Sequence, residues 1–196
     1  MASAMRWLAI TAAVIAGVTD ALYFGIVAGQ GGHDPIRWRV AFVATFVAVL
    51  AITAALASRG SASAWRPALL ALSTIGLLAM GYVAIFSIGL PLLVAGALAF
   101  IALLTSLRAS RQPSAFLKAG AGALIALVIF FGGFEASERA IACSPTGVES
   151  GSGSGLLSGP YHYTCVNGKL TLYPGECNRG GATMDSNGNV TSVSTC

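Results

Sequence analysis

The chain has 196 residues, 56% of them hydrophobic, and only 9% are charged. A soluble domain carries about 25% charged residues, so an ordinary water-soluble domain is excluded. The net charge of +4 and the isoelectric point near 9.1 do not point to nucleic acid. Most basic residues flank apolar runs, where membrane topology accounts for them.

A membrane-spanning helix needs about 20 mostly apolar residues, at about 1.5 Å per residue across a core about 30 Å thick. Residues 7–28 form the first such segment, interrupted only by Asp20. A cleaved signal peptide is the alternative for this stretch, with Arg6 as its basic end. The apolar character resumes after Asp20, however, and no clean small-residue cleavage pattern follows. Residues 40–57 form the second segment. Residues 67–107 carry no charged, histidine or amide side chain; at about 1.5 Å each they would reach roughly 60 Å, so they are two helices. The break is expected in FSIGLP, at Gly89 and Pro91, which gives helices over 67–87 and 90–107. Residues 115–134 make the fifth, with Lys118 snorkelling toward the headgroups. The expected fold class is therefore an all-α integral membrane protein of about five helices over 1–142, followed by a small β-rich module.

Lys and Arg in the short loops set the orientation. Alternation places Arg6, Arg59, Arg66, Arg108, Arg111 and Lys118 on one side, and Arg37, Arg39 and Arg139 on the other. The amino terminus is expected inside and the tail outside the cell membrane.

Composition shifts at Cys143. Of 35 alanines, 34 precede it, whereas Gly and Ser supply 18 of the last 54 residues, which rules out a sixth helix. Cys143, Cys165, Cys177 and Cys196 all lie in this tail, as expected of a disulfide framework in an oxidising compartment. Three pairings remain open. Zinc is disfavoured, because there is no C-x-x-C and only His162 is near. Residues 143–160 have the makeup of a flexible linker. Residues 161–196 are expected to form β-hairpins. Asn167-Gly168 sits between strand-like runs, in the pattern of a type I′ turn, and a second hairpin surrounds DSNGN at 185–189. Tyr161, Tyr163 and Tyr173 are either contact residues of a binding module or strand residues packed on their neighbours.

Small residues let helices approach closely in lipid. Ala9, Ala13, Gly17, Ala21, Gly25 and Gly29 recur every four residues in the first segment. Ala41, Ala44, Ala48, Ala51 and Ala55 mark the second. A tight hairpin of these two helices is expected, or pairing of one of them with another subunit.

Asp20 is the ionisable group deep in a span, about 12 Å below the boundary, and such a group is a functional candidate. Its expected partners are Tyr23, Arg37, Arg39 or a proton. Glu135, Glu138 and Arg139 form a second cluster, with Glu135 and Arg139 placed to pair at i,i+4. Haem between helices needs histidines in the spans, but His33 and His162 lie outside them. No H-E-x-x-H, G-x-S-x-G or P-loop pattern occurs. No cofactor or metal is expected. The leading expectation is a non-enzymatic accessory or scaffolding subunit, whose partners are the lipid bilayer and other membrane proteins. The alternatives are a channel or carrier component that uses Asp20, and a receptor-like binder that works through the tail.

Overall fold

In the computed structural model the described residues are 2–29, 37–59, 64–110, 112–175, 182–184 and 190–193. Five helices account for the apolar segments: α1 (Ala2–Gly29), α2 (Arg37–Ala57), α3 (Arg66–Val83), α4 (Gly89–Ser110) and α5 (Pro113–Arg139). All five are long and apolar enough to cross a membrane. Five strands follow: β1 (Val148–Gly155), β2 (Gly159–Val166), β3 (Lys169–Pro174), β4 (Ala182–Met184) and β5 (Val190–Val193). The chain divides into a helical unit, which contains α5 up to Gly133, and a sheet unit that begins at Phe134 and also takes in Arg37 and Trp38.

In the helical unit α4 packs on both α1 and α3, and α3 also meets α2 and α5. Met5, Ala57, Leu70, Leu103 and Ala119, one from each helix, meet in a single buried cluster. Alanine dominates this core, and its short side chain lets helix backbones approach closely. Glycines bring the backbones nearer still. A methyl on Gly76 of α3 would strike the Leu50 side chain of α2, 2.5–2.6 Å away, and one on Gly96 of α4 would strike Leu78 of α3. Gly122 of α5 lies against the Ala68 carbonyl, and Gly133 lies under the Phe42 ring. Phe42 and Phe46 of α2 stack with centroids 5.6 Å apart, and Phe130 of α5 meets Phe46 at 6.1 Å, tilted by 50°.

Polar groups inside this unit are satisfied largely by carbonyls. The buried Ser73 hydroxyl donates to the Leu50 carbonyl at 3.0 Å, and Thr19 donates back to Ile15 at 2.8 Å. Arg66 closes the α2–α3 connection. Its Nε donates to Ala57 and its Nη2 to Arg59 (2.9 and 3.1 Å), which occupies carbonyls that a helix end leaves without partners. Lys118 reaches the Ala64 carbonyl at 2.9 Å and lies over the Trp65 ring.

The α3–α4 break differs from the expected one. The turn is residues 84–88, upstream of Gly89, and Gly89 opens α4 instead of ending α3. Its amide donates to the Ala84 carbonyl at 2.8 Å. The Gly81 and Ala84 carbonyls occupy the space where a side chain would stand, so this corner needs a residue without Cβ. Pro91 falls in the first turn of α4, where a missing N–H costs nothing. The fifth helix is also longer than expected, running past Phe134 to Arg139. The Glu135–Arg139 pair and the back-bond from Ser137 to the Phe134 carbonyl support the added turn.

In the sheet unit β1, β2 and β3 form one antiparallel sheet in that order, and β4 pairs with β5 in a second. The Asn167-Gly168 hairpin joins β2 to β3 as its sequence implies, with both residues at positive φ (48° and 79°). The DSNGN loop, 185–189, lies outside the described residues, but the strands flanking it pair. The Gly/Ser-rich stretch is not a linker: it is strand β1. Glycine is a poor strand former, because nothing on it packs. Register supplies the missing contact. Gly151 stands opposite Tyr163 and Gly153 opposite Tyr161, and each tyrosine ring covers the bare face of its glycine. Aromatic cover of cross-strand glycines is a known way to hold such strands.

Cys143 and Cys165 are bonded, with Cα atoms 5.5 Å apart. The bridge ties the segment after α5 to the C-terminal end of β2, where Cys165 is buried. Cys177 and Cys196 lie outside the described residues.

Candidate functional site

Buried positions on α1 are Met5, Ala9, Ala12, Ala16 and Thr19, which alternate four and three apart and so stay on one face. The small residues spaced strictly by four do not. Each four-residue step advances about 400°, a drift of about 40° per step, so the six-residue ridge winds through about 200°. Ala9 therefore faces the core while Ala21, Gly25 and Gly29 are exposed, and Ala13 and Gly17 lie half-buried between. The expected α1–α2 packing ridge is thus not an internal contact along its length; α1 packs on α4, and its Met5 and Ala9 share a buried cluster with Ala57 of α2. By the same helical geometry, the stretch from Gly17 to Gly29 centres roughly opposite the buried face. Nothing stands within 4 Å of a methyl placed on Gly17, Gly25 or Gly29.

On α2, Ala44 and Ala51 are buried and Ala48 half-buried, while Ala41 and Ala55 are exposed. The buried stripe runs instead through Val47, Leu50, Ala54 and Ala57. The glycines that do bring helices together, Gly76, Gly96 and Gly122, are ones the sequence pattern did not single out. Ser73 one turn before Gly76 was the available signal, since small residues at i and i+3 share a helix face.

Asp20 lies on the inward side of α1, one turn before Tyr23. Tyr23 is half-buried, and its hydroxyl is within electrostatic range of both Asp20 and Arg39. Of the four expected polar residues, Asp20 and Arg39 thus both act on Tyr23 electrostatically, and the Arg37 side chain is outside the described set. Asp20 Oδ1 is shielded from solvent and accepts no hydrogen bond among the described residues.

In the sheet unit Glu135 accepts two hydrogen bonds from Arg139, at 2.8 and 3.2 Å, as i,i+4 spacing implies. Its second oxygen accepts the Leu157 amide at 3.2 Å. Glu138 is buried, and its carbonyl accepts the Tyr161 hydroxyl at 3.0 Å. A methyl on Gly155 would strike the Ser158 hydroxyl and would lie 3.1 Å from Glu135 Oε2 and 3.2 Å from Glu138 Oε2. A shallow groove of about 200 Å³ opens beside Arg139, Tyr161 and Tyr173. Tyr161 and Tyr163 serve the sheet itself, by covering glycines, and only Tyr161 and Tyr173 border the groove. No group of three His, Cys, Asp or Glu side chains placed to hold a metal occurs among the described residues.

Family models, curated proteins and solved structures give no match to this chain. Functional assignment therefore rests on these residues alone.

Proposed function

We propose that the protein is a multi-pass, non-enzymatic subunit of the cell membrane that docks on another membrane protein through the outward face of α1. The amino terminus is inside and the cysteine-bearing tail outside. The orientation is supported by six basic residues against three. Arg6, Arg108 and Lys118 adjoin Met5, Leu107 and Ala119, which belong to or pack on one cluster, so these charges gather at one end of the bundle.

The observation that carries the subunit reading is the contrast between glycines. Gly76, Gly96, Gly122 and Gly133 are each pressed by a neighbouring helix, while a methyl on Gly17, Gly25 or Gly29 would have no atom of the described residues within 4 Å. A spanning helix gains from glycine where another backbone comes close. Three unoccupied glycines on one side of α1 therefore suit a helix from a second protein. The test is Gly17→Leu with Gly25→Leu, followed by native gel electrophoresis of gently solubilised membranes. The subunit reading expects the variant to keep its helical content and to run at lower mass than the wild type. An unchanged assembly overturns it.

Asp20 favours a second reading, a proton or cation carrier, because its carboxylate lies inside a span with one shielded oxygen accepting no hydrogen bond among the described residues. Asp20→Asn separates the two. A carrier keeps its assembly and loses ion flux in liposomes, whereas a subunit shows no flux for the substitution to abolish.

A further inference from the structure

We propose that the β1–β2 turn is a membrane-surface anchor whose Leu156 and Leu157 enter the interfacial layer of the bilayer crossed by the helices. This rests on the membrane reading above. The apolar stretch of α5 ends at Phe134, and Glu135 follows about 1.5 Å further along the axis. The turn is fastened to that level. Leu157 donates its amide to Glu135 Oε2, Gly155 sits against the Glu135 and Glu138 carboxylates, and Tyr161 donates to the Glu138 carbonyl.

Turn chemistry explains Gly155, Ser158 and Gly159, but not two adjacent leucines. Leu156 is 46% and Leu157 67% exposed, so a large part of each is left outside the sheet's own packing. An exposed leucine pair fastened beside the last apolar residue of a spanning helix lies where the outer layer of the bilayer begins. Apolar groups gain there by entering about 5–10 Å. Arg139, with 62% of its side chain exposed, stands about 6 Å further along the axis than Glu135 and suits the phosphate groups. Lipid is therefore the occupant the geometry favours over a second protein.

The test uses single tryptophans at Leu157 and at Leu156, with Trp7, Trp38 and Trp65 replaced by Phe. Each variant is reconstituted in phosphatidylcholine vesicles brominated near the glycerol end or near the methyl end of the acyl chains. Leu157→Trp and Leu156→Trp are expected to lose emission mainly to the shallow bromines. Val128→Trp, on an exposed position of α5, should lose it to the deep ones, and Thr171→Trp on β3 to neither. If Val128→Trp is quenched while both turn tryptophans behave like Thr171→Trp, the anchor is refuted and the membrane reading stands. If Val128→Trp also escapes, the membrane reading fails and the anchor with it. In the unaltered chain, a lipid-borne carbene precursor should label the peptide containing Leu156 and Leu157. Labelling of α5 without that peptide overturns the proposal.

Discussion

The helical unit and the sheet unit both use glycine as a seat for a larger neighbour, but for opposite reasons. In the helices, Gly76 and Gly133 receive Leu50 and Phe42, and the missing side chain brings two backbones together. In the sheet, Gly151 and Gly153 weaken their own strand, and Tyr163 and Tyr161 compensate by lying over them. The helical unit hydrogen-bonds its backbone within each helix, so it spends glycine on proximity. The sheet unit has few apolar residues to bury and adds a covalent bridge. The lesson is that small-residue content means close approach where helices already stand, and a need for aromatic cover and a crosslink where strands must be held.

The largest effect should come from that crosslink. Cys165→Ser opens a bridge spanning 22 residues, which loop entropy values at about 3 kcal/mol. Limited proteolysis in detergent should cut between β1 and β3 while circular dichroism keeps the helical signal. Loss of both together would break the contrast between units. Next comes Gly122→Leu. It forces a side chain into the Ala68 backbone and should cost about 1–3 kcal/mol by overpacking, read from denaturation in mixed micelles. Gly120→Leu, on the same helix with nothing within 4 Å, should cost far less, and equal losses would refute the packing account. Tyr163→Ala uncovers Gly151 and should destabilise the sheet by about 1 kcal/mol at most, the upper end for a cross-strand pair. Faster hydrogen exchange confined to β1 and β2 amides is the expected signature. The smallest effect is Arg139→Ala, below about 0.5 kcal/mol for an exposed i,i+4 pair. It should fray only the last turn of α5, visible as exchange at residues 137–139.

Periodicity and length alone decide much of this protein. Five apolar helices, the paired spacing of Glu135 and Arg139, and the Asn167-Gly168 hairpin were all legible, because each depends on residues near one another in the chain. Composition misled where a partner strand was needed. GSGSG has the makeup of a linker, and only its register against Tyr161 and Tyr163 makes it β1. Spacing misled on α1 for a different reason, since a strict four-residue repeat drifts around a helix of 3.6 residues per turn.

What the sequence by itself determined is therefore local: which segments are helical, where polar groups interrupt them, and which turns must reverse the chain. Only the tertiary structure decided that Cys143 bonds Cys165, that Gly76, Gly96 and Gly122 are the glycines that bring helices together, and that the Gly17–Gly29 side of α1 faces outward. Those choices depend on the rotation of each helix about its axis and the alignment of each strand with its neighbour, which arise from contacts between residues far apart in the chain.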